Sequence, residues 1–480
     1  MRSICLSVLF SALASCLAAD ETTGPNFVFM LSDDQGWNGL SVAMHPNIAG
    51  SKSDLYRTPN LEKLAGQGMR FSNAYAPASV CSPTRCSLQT GKSPAQLRWT
   101  KASPIMTAAD GHKLIPPMHG KSLPAEETTI AEVLRKAGYA TAHYGKWHLG
   151  GGGPERHGYD ESDGDTGNQD AARFVDPNPV DIFGMSRRAI EFMDKNTKVG
   201  KPFFIQLSYH ALHYPENALT TTREKYARLA SGRNEKNMFR AAITEDLDTG
   251  VGMIMEGVDR LGIGSNTYLV YMSDNGAGGG GGRGSLSGGK GSVREGGIRV
   301  PLIVRGPGVP ENSFCHERVV GYDLFPTICE LAGVTDPLSN GIEGGSIVSL
   351  LSGAKERVKR PREELVFHFP HYQSSDGPHS AILLGNFKLL RFYEAGDEKL
   401  FDLSRDIGEQ HDLAKDMPEK VVELAARLDR YIEDVGAALP VSNPSYDPAK
   451  PPQDRREQKQ RRGGGGRDQR RRASNRPDRR

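Results

Sequence analysis

Four short apolar runs, each broken off by polar residues, constrain this 480-residue chain more than any other feature. Asn26 to Leu31 carries β-branched and aromatic side chains and stops at Ser32-Asp33-Asp34-Gln35-Gly36. Thr267 to Met272 ends in Ser273-Asp274-Asn275-Gly276, and Pro202 to Tyr209 runs into His210 and His213. Tyr139 to Tyr144 leads into Gly145-Lys146-Trp147-His148. Runs without polar alternation have the pattern of strands buried on both faces, as in a parallel sheet. Open α/β sheets bind ligands at the carboxyl edge of their strands. The polar residues after these runs are therefore the first candidates for function.

Helical patterns fall between the runs. Thr58-Pro59 supplies a cap and a first-turn proline ahead of Leu61, Leu64 and Ala65. Thr129 to Glu132 has capping-box spacing, and Gly138 stops that helix. Phe239, Ile243, Leu247, Val251, Ile254, Val258 and Leu261 form a core stripe at helical spacing. Alternation of strand and helix predicts a doubly wound α/β domain over 24–355, a large mixed sheet flanked by helices. Beyond 360 the pattern changes. Leu365 to Phe369, Ser380 to Leu384, Phe387 to Phe392 and Lys399 to Leu403 read as an antiparallel meander, with a two-residue turn at Gly385-Asn386. One amphipathic helix from Val421 to Ile432 covers it, which gives a smaller subdomain over 360–437.

From Pro451 to Arg480 there are twelve Lys/Arg against four Asp/Glu, a charge of +8; the whole chain carries +2, so the remainder carries −6. That balance excludes a basic body built for nucleic acid. Residues 441–480 read as a basic disordered tail. At the other end Arg2, the apolar run Ile4 to Leu17, and Ala18-Ala19 make residues 1–19 a secretory signal, too short to span a bilayer. Leu13-Ala14-Ser15-Cys16 also fits a lipobox ending at Cys16, so a lipid anchor and plain cleavage both stand. Export follows either way, to the periplasm, an outer-membrane lipoprotein or the medium. Four cysteines remain after the signal and make no disulfide framework; Cys315 and Cys329, fourteen apart, could be bridged in an oxidising compartment or stay as two buried thiols, and the sequence leaves both open.

The chemistry concentrates in Cys81-Ser82-Pro83-Thr84-Arg85-Cys86-Ser87-Leu88-Gln89-Thr90-Gly91. A cysteine at the mouth of a helix gains from unpaired N–H groups and partial positive charge. Arg85, one turn on, can hold both that nucleophile and an anion. Asp33, Asp34, Asp274 and Asn275 offer oxygen donors only, which suits calcium or magnesium better than zinc. Lys146 and His148 alternate on a strand end, so a loop must begin there for both to reach one site. Gly276 to Gly284 reads as a glycine-rich lip over the pocket, and no P-loop spacing is present.

The Cys81 to Arg85 run and its trailing Leu-x-Thr-Gly resemble the C-x-P-x-R signature of the type I sulfatases. Tyr144 to Gly150 is similar to that family's G-K-W-H-L-G stretch, and Ser208 to Pro215 to its next block, with Leu212 in place of the common proline. Gly288-Gly289-Lys290-Gly291 and Glu295 to Pro301 match further blocks, as do Asp323 and the segment from Leu400 to Leu413. The resemblance implies an alkaline phosphatase-like sulfatase fold and hydrolysis of an O-sulfate ester. It implies that a maturation enzyme converts Cys81 to formylglycine, and that one calcium ion is held by Asp33, Asp34, Asp274, Asn275 and residue 81 itself. It further implies that Lys146 binds sulfate and formylglycine and that His148 orients the formylglycine hydroxyl. The same resemblance implies that His213 protonates the leaving oxygen and that Lys290 neutralises sulfate oxygens. Cys86 stands where the family has Ala, Ser or Gly, a small residue retained.

Competing readings are a phosphomonoester or phosphonate hydrolase, disfavoured because neither acidic pair contains a His, and a glycan-binding protein whose Cys81 stays a thiol. His112, His119, Phe367 to Tyr372 and His379 are candidate rim residues. Aromatic and imidazole side chains around a polar pocket suit a sulfated carbohydrate over a small aryl or choline sulfate.

Overall fold

A computed structural model describes residues 24–102, 109–229, 235–278 and 284–450. The expected signal, most of the basic tail and the middle of the glycine-rich lip lie outside the described residues. An eight-stranded mixed sheet runs in the order 313–315, 69–71, 302–305, 267–273, 26–32, 203–208, 140–145, 161–162. The 267–273, 26–32, 203–208 and 140–145 strands are adjacent and mutually parallel. The 302–305 strand runs antiparallel to 267–273. All four apolar runs thus lie side by side and deliver their polar sequels to one edge.

Alternate residues of each run enter different cores, which explains the missing polar alternation. Val28 and Met30 join Leu269, Tyr271, Ile205 and Leu207 on one face. Phe27, Phe29 and Leu31 join Tyr268, Val270 and Met272 on the other. The first face is covered by the helices Pro59–Gly66, Ile182–Thr197 and Glu235–Arg260. The second carries Cys81–Thr90, Ile130–Lys136 and Leu324–Leu331.

Local signals act mostly as read. Thr129 accepts from the Glu132 amide while the Glu132 side chain accepts from the Thr129 amide, a complete capping box. Thr58 differs: its hydroxyl takes the Ser41 amide at 2.9 Å and makes no cap, so only Pro59 contributes the expected start signal. Gly91, at φ 70°, closes the nucleophile helix, its amide reaching the Ser87 carbonyl at 2.9 Å.

The C-terminal strands Leu365–Phe369, His379–Leu384, Phe387–Phe392 and Asp397–Asp402 form an antiparallel sheet in that order. One face packs Phe367, Phe369 and Leu390 against Tyr75, Val80, Val293 and Ile298, directly behind the residues that flank Cys81 and Lys290. The Pro418–Asp434 helix covers the other face through Leu424, Leu428, Tyr431 and Ile432. Order extends past the expected start of the tail at 441: Val441–Ser442 pairs with Leu114–Ile115, and Asn443 donates to the His112 carbonyl at 2.8 Å. A proline-rich polar stretch carries no local sign of a partner more than three hundred residues away. Cys81, Cys86, Cys315 and Cys329 are all free thiols.

Candidate active site

Asp33, Asp34, Asp274, Asn275, Lys146, His148, His210 and His213 all lie at the shared edge because their strands are neighbours. Backbone bonds lock the strand ends together. The Asp33 amide donates to the Ala211 carbonyl at 2.8 Å, and the Leu212 amide to the Asp33 carbonyl at 2.6 Å. The Lys146 amide reaches the Ser208 carbonyl at 2.8 Å. That approach requires glycine at 145, where an added Cβ would lie 2.2 Å from the Ser208 oxygen. His148 takes a left-handed turn at φ 59°, its amide bonded to the Thr166 carbonyl at 2.7 Å. This is the loop that the alternation of Lys146 and His148 demanded.

Cys81 opens its helix, is buried, and faces Arg85, Asp274 and Lys290 closely enough to interact electrostatically. Three cations pair with three carboxylates around it. Arg85 Nη2 meets Asp274 Oδ2 at 2.9 Å, Lys146 Nζ bonds Asp33 Oδ2, and Lys290 Nζ meets Asp34 Oδ1 at 2.5 Å. Arg85 also donates to the Lys146 carbonyl. Burial pushes the Asp33 carboxyl up, but Lys146, His213, Arg85 and Lys290 together hold it well below the usual carboxylate range. Burial and the neighbouring Asp33 push Asp274 up to about 7. Two close carboxylates in a dry site favour a further cation.

The unmet acceptors point the same way. Asp33 Oδ1 and Asn275 Oδ1 are buried oxygens with no hydrogen-bond donor. Asn275 gives its Nδ2 to Asp34 Oδ1 at 2.8 Å, which commits the amide and leaves its oxygen as the open group. Oxygens left without donors, beside Asp34, fit a hard divalent cation. Asp274 is bonded within the protein as well: Arg85 donates to Oδ2, and the Asp34 amide donates to Oδ1 at 3.2 Å. Among the described residues, Asp33, Asp34 and His213 offer ligand atoms that all lie within 4.8 Å of one another. A histidine therefore does stand beside the acidic pairs, delivered by the 203–208 strand, and its absence from the local sequence is no argument against a phosphohydrolase.

The histidines divide by burial. Burial first, then Lys146 and Arg85, lower His148 to about 2, and its Nδ1 is buried without a partner. His210 is lowered to about 3 by burial and Lys146. His213 is partly exposed, with Nδ1 on the Tyr214 carbonyl at 2.6 Å.

Several supporting residues escape sequence reasoning. Arg240, inside the core-stripe helix, donates to the Asp34 carbonyl at 2.7 Å and the Leu212 carbonyl at 3.3 Å, and pairs with Glu216 at 2.8 Å. A buried arginine within an apolar stripe was the only available signal. Glu295 and Arg299 gain a role through contact alone. Lys388 of the C-terminal sheet meets Glu295 at 2.8 Å and Glu409 at 2.9 Å, and Arg299 meets Glu295 at 2.6 Å. The Gly291 amide also donates to the Ser79 carbonyl at 2.8 Å, tying the Lys290 loop to the nucleophile segment. Among the rim candidates, His379 accepts from the Val293 amide at 2.9 Å and His368 bonds Ser380 at 2.7 Å; both are buried structural groups. His371 meets Thr100 at 2.8 Å, His112 stacks on Tyr372 at 3.8 Å, and only His119 lines the cavity beside His148.

A buried cysteine at a helix mouth, with Arg, two Lys and a carboxylate cluster at the carboxyl edge of a mixed sheet, suits chemistry on anionic tetrahedral esters. The profile of the sulfatase family matches residues 25–334, and that of the N-sulphoglucosamine sulphohydrolase C-terminal region matches 289–437. Over 471 residues the chain is 30% identical to arylsulfatase A of Homo sapiens, covering 84% of this chain and 86% of that protein. It is 28% identical to the N-acetylgalactosamine-6-sulfatase of Canis lupus familiaris, covering 72% and 70%. The solved structure of Ps i-CgsB in complex with k-i-k-neocarrahexaose has the same fold, at a TM-score of 0.70 and 24% identity, covering 91% of this chain and 97% of that one. The chain belongs to the sulfatase family and is a sulfuric ester hydrolase. Membership implies a formylglycine and a divalent metal, and the donor set at this edge suits such a metal.

Proposed function

We propose that this sulfatase removes O-sulfate from a sulfated carbohydrate, with residue 81 as formylglycine and calcium as the metal. The observation that carries the reading is the convergence on Cys81 of three paired cations and two donorless oxygens. The carbohydrate part draws on relatives named for a sugar sulfate and for a complex with an oligosaccharide. Asp33, Asp34 and Asn275 would hold the calcium, with Asp274 and residue 81 at its margin; when bound, it supplies positive charge against the sulfate oxygens. The hydrated aldehyde supplies two hydroxyls on one carbon, one to take the sulfuryl group and one whose collapse frees sulfate.

The remaining work falls to ordinary side chains. Arg85, braced by Asp274 and the Lys146 carbonyl, holds positive charge against residue 81. Lys146 and Lys290 turn from their aspartates to the sulfuryl oxygens. His148, kept neutral by burial, orients the hydroxyl on residue 81 without carrying charge. His213 keeps Nδ1 on the Tyr214 carbonyl, so Nε2 is the nitrogen that passes a proton to the leaving oxygen. Export is proposed on the first nineteen residues, with lipid anchoring at Cys16 as one route. Among the described residues no helix is long and apolar enough to cross a membrane.

Peptide mass spectrometry over the Cys81 segment, on protein made with its maturation enzyme, tests the nucleophile; a thiol there, or a bond to Cys86, overturns it. Sulfate release from a panel of sulfated glycans tests the substrate class, with phosphate esters as controls for the competing hydrolase.

A further inference from the structure

Lys146 and His148 stand two residues apart, and one residue of the loop after the 161–162 strand holds the backbone around both. The Thr166 hydroxyl donates to the Gly145 carbonyl at 2.5 Å and accepts from the Trp147 amide at 3.0 Å. It therefore bridges the two peptide groups on either side of Lys146, using a hydroxyl in both of its directions. The Thr166 carbonyl then takes the His148 amide at 2.7 Å, where the backbone turns left-handed. Lys146 itself is held by its amide on the Ser208 carbonyl at 2.8 Å and by Arg85 on its own carbonyl.

The loop is anchored from behind. Asp163 takes the Gly145 amide at 2.8 Å and pairs with Arg188 at 2.6 Å, and Arg188 also meets Asp181 at 2.7 Å. Arg188 belongs to the Ile182–Thr197 helix, so the loop is tied to a helix that covers the first face of the sheet. Thr166 also lines a cavity of about 560 Å³, with Ser82, Trp99, Lys101, His148 and Gly167. That volume lies within the range of small-molecule sites. A lysine is a point charge on a flexible four-carbon stem, so its aim depends on where the backbone starts it. Lys146 is wholly buried with Nζ on Asp33, so a shift of the backbone beneath it carries the ammonium along.

We propose that Thr166 is a positioning residue for sulfate transfer, its hydroxyl fixing the backbone from which Lys146 meets the sulfuryl oxygens and His148 meets residue 81. It acts through those two side chains and not by touching the sulfuryl group. The inference rests on the roles given to Lys146 and His148 above.

The test uses Thr166→Val, which keeps the shape of the side chain without the hydroxyl, and Thr166→Ser, which keeps the hydroxyl. Sulfate release is measured per mole of folded enzyme, and inorganic sulfate is the inhibitor probe. Thr166→Val lowers kcat by about tenfold to a hundredfold and weakens inhibition by sulfate, while Thr166→Ser stays within about threefold of the wild type on both. Should valine prevent folding, Thr166→Ala is read the same way. On a Lys146→Met background the valine change loses most of its effect, because the side chain it serves is gone; on a Lys290→Met background it keeps its full factor. The proposal is overturned if Thr166→Val matches the wild type, or if serine fails as badly as valine. A valine penalty undiminished on the Lys146→Met background overturns it too, since a merely structural role predicts that result. If Lys146→Met alone leaves sulfate release and sulfate inhibition intact, the role given to Lys146 has failed and this inference falls with it.

Discussion

Two clusters of buried charge meet on one short segment: Lys290 belongs to the reaction centre, and Glu295 to the joint between the large sheet and the C-terminal sheet. In the joint, Lys388 and Arg299 share Glu295, Lys388 also meets Glu409, and Tyr75 donates to Glu295 at 3.1 Å. Each carboxylate is ion-paired, Glu409 Oε1 through Lys388 alone and without a hydrogen-bond donor, so the cluster is a latch. In the reaction centre the ion pairs are as close, yet Asp33 Oδ1 and Asn275 Oδ1 have no donor and Lys290 is partly exposed. Buried charge alone does not mark a catalytic site. Acceptors left over after pairing, together with cations free to turn toward a ligand, do.

The largest expected effect separates the two clusters outright. Cys81→Ala should lower sulfate release by at least ~10⁴-fold with little change in melting temperature. Lys388→Met should do the reverse. It strands Glu409 and leaves Glu295 to Arg299 and Tyr75, which costs about 3–5 kcal/mol by denaturant unfolding, while the folded fraction keeps its metal affinity. A stable Lys388→Met protein would break the distinction.

Acid should also act first on the latch. Burial raises Glu295, but Lys388 and Arg299 outweigh it and hold the carboxyl at about 2, against an ordinary 4.5. A depressed carboxylate stabilises the folded state above its unfolded pKa, and that stability drains as pH falls from 4.5 toward 2. The loss is on the order of 3 kcal/mol, and Glu295→Gln should flatten that part of the unfolding curve.

Metal sharpens the comparison from the other side. Calcium at about a hundredfold over its Kd should add about 2.7 kcal/mol of stability to the wild type and to Lys388→Met. Asp33→Asn should lose that gain, read by calorimetry with and without chelator. The smallest effect lies away from both clusters. Thr129→Ala removes a complete capping box and should cost ~1 kcal/mol, with kcat unchanged.

Much of the fold was legible because strands buried on both faces need apolar residues at every position, as at 26–31 and 267–272. The turn at Gly385-Asn386 and the 418–434 helix were readable from local chemistry. Thr58 misled because its hydroxyl had a tertiary partner in Ser41, and the 441–442 strand was missed because its partner lies at 114–115. Of the candidate site, Asp33, Asp34, Lys146, His148, His213, Asp274 and Asn275 could be named because each follows an apolar strand, whereas Lys290 rested on resemblance to the family's motif. Arg240, Thr166 and Lys388 could not, since each acts on backbone or charge far away in the chain.

Sequence by itself indicated the four central strands, the edge of the sheet they serve and a cysteine at the mouth of a helix, because those depend on local patterning and side-chain chemistry. Tertiary structure alone decided that the four runs are neighbours, that His213 joins the two acidic residues, and that Asp274 is committed to Arg85. It also decided that Lys388 latches the sheets while Lys101 lines a cavity. A charged side chain takes its role from the partners that packing brings to it, and packing is set by contacts hundreds of residues apart.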